Sequence, residues 1–270
     1  MWSPPSGALG RLCANARERA LRLDRDALQA ALAEREHGPS ARSLVDALSE
    51  GGEVAVIAEI KRRSPSKGAI RPDMPTAERA IAYQTGGARA LSVLTEPMEF
   101  GGSDRDLVVA AESTHLPVLK KDFHVEPIHV WEARSLGASA LLLIARALGP
   151  EALSAMASEC RLARIECLVE VRSEDELEWA LASGAVMIGV NTRDLESLVV
   201  DPALHERLIP RVPSACIAVA ESGVASREDV ERVARAGADA VLVGSSLSMA
   251  DDPVAATSRL VGVERAPRAS

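Results

Sequence analysis

The sequence predicts an α/β protein: a (β/α)8 TIM barrel with an N-terminal helical extension. Eight short aliphatic runs recur along the chain, and they are nearly continuously apolar, as is typical of parallel strands buried on both faces. Segments that alternate charged and apolar residues at helical spacing separate these runs, which indicates βαβ units in a parallel sheet. The chain has 270 residues, close to the roughly 250 of a typical barrel of this kind.

The eight predicted strands are short and regularly spaced. They lie at residues 54–60, 90–95, 117–121, 140–144, 167–171, 187–191, 217–221 and 240–244. Two intervening segments, SEDELEWALASGA and SREDVERVARAGA, open with serine and acidic residues and end at glycine. Serine is a favoured helix N-cap and glycine a favoured helix stop, so both segments are predicted helices. Eight such units favour closure into a barrel, and an open doubly wound sheet is the structural alternative.

The first 50 residues contain no strand-like run. The segments LGRLCANARERALRL and ALQAALAER are rich in alanine, leucine, arginine and glutamate, which are strong helix formers. We therefore expect a single domain over residues 1–270, with a helical extension at 1–50 and the barrel at 54–260. The last residues, ERAPRAS, are expected to form a frayed tail.

The composition argues against several classes of function. The formal net charge is −8, whereas a general nucleic-acid binder usually carries a basic balance, so no nucleic-acid partner is expected. None of the four cysteines forms a C-x-x-C pair, which argues against a zinc or redox motif and fits a reducing compartment. No apolar run reaches the ~18 residues of a membrane span, and no secretory signal pattern is visible. The sequence predicts a cytoplasmic protein without a membrane partner.

Polar residues at the carboxyl ends of the strands are the candidate site, because barrel active sites lie at that face. Glu59 and Lys61 end the first strand two residues apart, so they share one face of it. Opposite charges inside an otherwise apolar barrel favour chemistry, since a buried ion pair adds little net stability. A space-filling ion pair is the alternative. Ser64 follows in a loop with Ser66 and Gly68, and a simple turn is also an adequate explanation for Ser66 and Gly68.

The third and fifth strands contribute further charges. Lys120 and Lys121 are adjacent, so one faces the barrel interior and the other the helix layer, and periodicity does not tell which. Glu170 sits within an apolar strand, where burial should raise the pKa of an unpaired carboxyl and suit it to general acid–base work near neutral pH. A structural partner for a nearby lysine is the alternative for Glu170.

Small and hydrogen-bonding residues follow the last three strands. Asn191 is a neutral hydrogen-bonding group at the end of the sixth strand, and Arg193 follows it at the rim. Glycine and serine after strands seven and eight, with a helix behind them, are typical of the phosphate site of such barrels. The residues at these two strand ends are Glu221, Ser222, Gly223, Gly244 and Ser245. The pattern indicates a small-molecule substrate that carries a phosphate.

Six segments resemble, in order, the motifs of the indole-3-glycerol-phosphate synthase family: AEIKRRSPSKG, VLKKDF, LVEV, IGVNTRDL, AESGV and AVLVGSSL. The resemblance runs from the N-terminal helices through the eighth strand, and the first motif is its most specific part. It implies a decarboxylating lyase of tryptophan biosynthesis that converts 1-(2-carboxyphenylamino)-1-deoxyribulose 5-phosphate to indole-3-glycerol phosphate, carbon dioxide and water. It implies neither a metal nor an organic cofactor. We expect a monomer or a weak homo-oligomer.

The resemblance also implies roles for the candidate residues. Lys121, rather than Lys120, is implied as the catalytic lysine, and we expect it to donate a proton to the substrate ketone. Glu170 and one lysine are then expected to serve dehydration as acid and base, with the division between Lys61 and Lys121 left open. The rest of the implied catalytic set is Glu59, Asn191 and Glu221. The implied substrate- and phosphate-binding residues are Ser64, Arg193, Ser222, Gly223, Gly244 and Ser245.

The chain departs from the family pattern at two strands. Ser139 and Ala140 occupy a region where relatives often carry aspartate, and Thr192 stands where a second asparagine is common. Aromatic residues, at 2% of the chain, are also scarcer than usual in the family. None of these departures removes a core catalytic group. They leave open a copy that serves a secondary pathway.

Two other functions compete with the synthase. A phosphoribosylanthranilate isomerase would need a cysteine at the end of the first strand, where Glu59 and Lys61 stand. A non-catalytic paralogue that binds a sugar phosphate is the second alternative. Such a binder has no need for Glu170 beside Lys121, so the charged set favours an enzyme.

Overall fold

The computed structural model describes residues 4–36, 42–64, 68–71 and 74–268, without the side chains of residues 34–36 and 64. Eight parallel strands pair in chain order, and the eighth pairs with the first to close a barrel. The strands are β1 (Ala55–Ile60), β2 (Ala90–Leu94), β3 (Val118–Lys121), β4 (Ala140–Ile144), β5 (Glu166–Val171), β6 (Met187–Asn191), β7 (Ile217–Glu221) and β8 (Ala240–Val243). The predicted (β/α)8 barrel is confirmed, and the alternative of an open sheet is wrong.

Burial on both faces explains why the strands are so apolar. Every residue of β1, β2, β4, β6, β7 and β8 is buried. Several predicted strand ends are displaced by one residue. Val54, for example, lies outside β1 because its N–H is donated to the carbonyl of Val263 (2.7 Å) and not to a neighbouring barrel strand. Charged residues of the strands are concentrated at their carboxyl ends, so the barrel gathers them at one face.

Three helices precede the barrel: α1 (Gly7–Ala20), α2 (Arg25–Glu36) and α3 (Leu44–Ser49). The last turn of α1 reaches the carboxyl face, where Arg19 Nη2 donates to Asp122 Oδ1 at 2.6 Å, directly after β3. At the opposite end of the barrel, Glu166 at the start of β5 accepts the Ser43 hydroxyl (2.6 Å) and the Leu44 N–H (2.7 Å). The N-terminal helices therefore contact both ends of the barrel.

The remaining helices surround the strands. They are α4 (Thr76–Thr85), α5 (Asp104–Ser113), α6 (Ile128–Ser135), α7 (Ala145–Ala163), α8 (Glu174–Ala182), α9 (Ala203–Leu208), α10 (Arg227–Arg235), α11 (Ser245–Ser248) and α12 (Pro253–Ser258). The predicted serine caps are present: Ser173 accepts an N–H of α8, and Ser226 forms a capping box with Asp229 in α10. Within the described ranges, no helix is both long enough and apolar enough to cross a membrane.

The C-terminal segment is fixed, so the expectation of a frayed tail is wrong. Arg265 donates from Nε to the carbonyl of Glu53 at 2.7 Å. The side chain of Arg268 is only 4% exposed and pairs with Asp239 at 2.6 Å. Two arginines thus provide the buried contacts of this segment, of which residues 269–270 lie outside the described residues.

Candidate active site

The predicted site residues converge on a cavity of about 400 Å³ at the carboxyl ends of the strands. A concave site of this size suits a small ligand. Eleven of the predicted residues line it: Glu59, Lys61, Lys121, Glu170, Asn191, Arg193, Glu221, Ser222, Gly223, Gly244 and Ser245. The remaining one, Ser64, pairs through its backbone with Gly68 in a short antiparallel hairpin, and its side chain lies outside the described residues.

The two adjacent lysines of β3 point to opposite sides of the barrel wall. Lys121 lies inside, where its Nζ is 2.7 Å from Glu221 Oε2 and 3.6 Å from Glu170 Oε2. Lys120 points to the helix layer, where its Nζ is 2.6 Å from Glu132 Oε2 and 3.0 Å from Asp104 Oδ1. Because side chains alternate along a strand, Lys121 points into the cavity and Lys120 points away from it, where it forms buried ion pairs with the helix layer.

Glu59 and Lys61 form a second ion pair in the cavity, with Lys61 Nζ 2.9 Å from Glu59 Oε1. A Cβ at Gly244, which directly follows β8, would overlap Glu59 Oε1 and lie 2.9 Å from Lys61 Nζ. The backbone of Glu59 is held as well, because the Ser248 hydroxyl donates to its carbonyl at 2.9 Å. Gly244 is thus needed to leave space for this pair.

Burial and close charges determine the protonation of the cavity. Burial alone would raise the pKa of Glu59, but Lys61 and Lys121 hold it below its ordinary value. Burial alone would lower the pKa of Lys121, but Glu221, Glu170 and Glu59 raise it. Burial raises the pKa of Glu221 to about 7 despite the opposing effect of Lys121, and Glu170 adds to the rise. The arrangement keeps Lys121 protonated and leaves Glu221 able to change charge near neutral pH.

β6 ends in a buried asparagine, Asn191, which holds the loop that follows. Asn191 Oδ1 accepts the backbone N–H of Arg193 at 3.0 Å, and Arg172 Nε donates to the Asn191 carbonyl at 3.0 Å. Arg172 also pairs with Asp194 in the same loop. The adjacent Thr192 is fully buried, and its hydroxyl donates to the carbonyl of Glu221 at 3.3 Å. Thr192, which stands where asparagine is common in the family, therefore holds the end of β7 through this hydrogen bond.

Ser222, Gly223, Gly244 and Ser245 together form a glycine–serine corner of the cavity. Ser222 (φ 63°) and Gly223 (φ 65°) have left-handed backbone conformations, and Ser222 tolerates this at a cost that glycine does not have. α11 begins at Ser245, and the first N–H groups of a helix have no partner within the helix. Exposed N–H groups and small side chains at such a corner are suited to hold a phosphate.

A serine and an apolar surface also line the cavity, although the sequence pattern did not indicate them. Ser246 lines the cavity, and its hydroxyl has no hydrogen-bond partner among the described residues. The apolar residues of the cavity lining include Phe100, Phe123, Leu142, Ile144 and Leu195, which we call the apolar wall. Pattern alone does not separate such residues from the hydrophobic core.

Solved structures with low sequence identity share the fold. A 3-hexulose-6-phosphate synthase from Salmonella typhimurium superimposes with a TM-score of 0.61 at 15% identity, covering 77% of this chain and 96% of that chain. A thiamine phosphate pyrophosphorylase from Pyrococcus furiosus gives a TM-score of 0.57 at 17% identity, covering 77% of this chain and 93% of that chain. At these identities, the likeness shows the barrel and nothing of the chemistry.

Sequence relatives identify the family. A family model described as "Indole-3-glycerol phosphate synthase" matches residues 10–260. Indole-3-glycerol phosphate synthase 2 of Streptomyces coelicolor is 47% identical over 262 residues, which cover 95% of this chain and 100% of the relative. Indole-3-glycerol phosphate synthase of Mycolicibacterium smegmatis is 47% identical over 223 residues, covering 83% of this chain and 82% of the relative. The chain therefore belongs to the indole-3-glycerol phosphate synthase family, as its motifs predicted.

Proposed function

We propose that this enzyme closes the indole ring of indole-3-glycerol phosphate on 1-(2-carboxyphenylamino)-1-deoxyribulose 5-phosphate, with Lys121 as the acid that starts the reaction. Family membership supports the overall reaction, a decarboxylating lyase step of tryptophan biosynthesis. One observation supports the role of Lys121. Its ammonium group lies between Glu170 and Glu221, in the same cavity as the Glu59–Lys61 pair.

The substrate has three recognisable groups, and each matches a part of the cavity. The phosphate fits the glycine–serine corner, where helix N–H groups and hydroxyls favour an anion. The aryl ring fits the apolar wall, which removes apolar surface from water. The ring carboxylate is then within the cavity that Lys61 and Arg193 line, and either cation offers it charge-assisted hydrogen bonds. Ser64, three residues after Lys61 in the chain, remains part of the proposed binding set.

Ring closure needs an acid at the ketone. The aryl carbon that carries the carboxylate attacks the ketone carbon, and the electron pair of the C=O bond moves to oxygen. The Lys121 ammonium donates a proton to that oxygen, so that no free alkoxide forms. The C–C bond to the carboxylate then breaks, and its electron pair restores the aromatic ring as carbon dioxide leaves.

Dehydration needs an acid at the new hydroxyl and a base at the neighbouring ring carbon. The hydroxyl leaves as water after it receives a proton, and a carbon of the five-membered ring loses a proton to complete the indole. We assign the base to Glu170 and the second acid to Lys61. Two protons are taken up and one is released. The net uptake of one proton matches the loss of a carboxylate as neutral carbon dioxide.

The carboxylates beside the lysines hold the cations in place. Glu59 contacts Lys61 at 2.9 Å, and Glu221 contacts Lys121 at 2.7 Å. Each pairing fixes the direction of an N–H donor before substrate binds, which is how preorganised charge lowers a barrier. Asn191 contributes by fixing the loop through its bond to the Arg193 N–H. Folding the flexible substrate so that its ring meets the ketone contributes to the rate as well.

The cellular location and the oligomeric state of the enzyme are also part of the proposal. A phosphorylated substrate and four free thiols suit the cytoplasm, where we place the reaction. We also propose a monomer or a weak homo-oligomer.

Turnover of the anilino-deoxyribulose phosphate tests the function, since the indole product is fluorescent and the substrate lacks the indole ring. We expect the purified enzyme to release carbon dioxide and indole product in equal amounts without added metal or cofactor. Binding of the substrate without any indole product would instead favour a sugar-phosphate-binding paralogue.

A further inference from the structure

Glu196, in the loop after β6, holds the start of α1 from a distant part of the chain. Its two carboxylate oxygens accept the N–H groups of Ala8 (2.7 Å) and Leu9 (3.0 Å). The first N–H groups of a helix lack partners within the helix, and an anion there also complements the helix dipole. Ser6, at the N-cap position, makes no side-chain cap hydrogen bond. The cap of α1 therefore comes from Glu196.

The N-terminal partner is shaped for this contact. Gly7 has a φ of 82°, a conformation that residues with side chains rarely adopt. A Cβ at Gly7 would also overlap the carboxylate of Glu196. Both the backbone conformation and the space at this position depend on glycine, so the close approach of α1 to the loop depends on it too.

The loop that carries Glu196 is also a wall of the active-site cavity. Its residues Arg193, Leu195 and Leu198 line that cavity. Behind the wall, Leu195 and Glu196 border a second, much smaller cavity together with Leu9, which is buried in the first turn of α1. The first turn of α1 thus lies behind the same loop whose other side faces the site.

We propose that Glu196 is a positioning residue for substrate binding: by capping α1 it holds Leu195 in place as part of the apolar wall for the aryl ring. The inference rests on the proposed function of the cavity. The wall contacts the ring before and during ring closure, so its loss weakens the ground state and the transition state alike. Such a loss raises KM and leaves kcat nearly unchanged.

Steady-state kinetics of three variants test this role. Glu196→Ala removes the cap, Gly7→Ala disturbs the same contact from its other side, and Glu196→Gln keeps one acceptor oxygen. We expect KM to rise roughly three- to tenfold in the first two variants, with kcat within about twofold of wild type, and to recover in part in Glu196→Gln. Glu18→Ala, an exposed carboxylate on α1 itself, is the matched control and should match wild type.

Hydrogen exchange provides a second measurement that does not depend on turnover. In Glu196→Ala, amides of residues 7–12 and 193–199 should exchange faster together, while those of the barrel strands keep their rates. An unchanged KM in both Glu196→Ala and Gly7→Ala overturns the proposal, as does a fall in kcat with KM unchanged. If the wild type itself makes no indole, the proposed function fails. The affinity for a substrate analogue with the ketone reduced to an alcohol then replaces KM as the test of Glu196.

Discussion

Lys121 and Glu221 form a buried ion pair that uses only one oxygen of the carboxylate. Lys121 Nζ lies 2.7 Å from Glu221 Oε2, whereas Glu221 Oε1 has no hydrogen-bond partner among the described residues. A buried polar atom without a partner costs free energy, and such atoms are concentrated where a protein binds or reacts. The pair therefore combines a fixed ammonium group with a carboxylate that is easily protonated.

The raised pKa of Glu221 predicts a pH-dependent contribution to stability. The pKa rises from an ordinary 4.5 to about 7 in the fold, chiefly through burial. Between these values the folded protein keeps a proton that the unfolded chain has released, so this contribution to the free energy of unfolding falls as pH rises. The contribution of Glu221 to stability is fully present below pH 4.5, the ordinary pKa, and is lost above about pH 7, the pKa in the fold. Urea unfolding should show Glu221→Gln gaining stability relative to wild type across this window, and a constant difference would contradict the assignment.

Gly189 in β6 is predicted to be essential for the position of Glu221. A Cβ at Gly189 would overlap Glu221 Oε1 and lie 3.1 Å from its Cδ. Gly189→Ala should displace the carboxylate from Lys121 and lower kcat/KM at least tenfold, with a stability loss of roughly 1–3 kcal/mol from overpacking. Gly52→Ala is the control, because a Cβ there meets nothing within 4 Å. Equal activity of the two variants would show that Glu221 can move without consequence.

Arg172 is predicted to support the loop after β6. It donates to the Asn191 carbonyl at 3.0 Å and pairs with Asp194, two contacts that a planar guanidinium makes at once and a lysine does not. Arg172→Lys should lower kcat/KM about tenfold by loosening Asn191 and the residues that follow. Arg207→Lys serves as the control, since its pair with Asp201 is largely exposed and adds little. Comparable kinetics for both variants would argue against this role.

Lys120 is predicted to matter for stability and not for chemistry. Lys120→Met leaves Glu132 and Asp104 without their buried cation, which should cost roughly 3–5 kcal/mol of unfolding free energy. Folded molecules of the variant should keep kcat within a few fold of wild type. Denaturant unfolding combined with turnover per folded molecule measures both quantities. Loss of turnover in fully folded Lys120→Met would contradict the orientation of the two lysines.

The barrel could be predicted from the sequence because the patterns that specify its strands and helices are local and recur along the chain. Strands buried on both faces must be apolar, and capping serines such as Ser173 and Ser226 mark the helices between them. The fixed tail could not be predicted in this way. Arg265 and Arg268 acquire their burial from carbonyl groups of distant segments, which no local pattern encodes.

The charged part of the site could be predicted for a similar reason. A carboxylate such as Glu170 inside an apolar strand is conspicuous, and parallel strands bring their carboxyl ends to one face. Periodicity could not choose between Lys120 and Lys121, since adjacent residues alternate and either could face inward. The family resemblance implied Lys121, and Lys121 is the one whose ammonium group lies in the cavity. The contact between Glu196 and α1 joins residues 188 positions apart, so it has no local signature.

The most direct measurement of the proposed chemistry is turnover of the anilino-deoxyribulose phosphate by Lys121→Ala and Glu170→Gln beside wild type. Binding of the analogue with a reduced ketone is measured on the same preparations. We predict that each variant loses roughly 10²–10⁴-fold in kcat while it still binds the analogue. If Lys121→Ala binds the analogue and keeps kcat close to that of wild type, Lys121 is not the acid that starts ring closure.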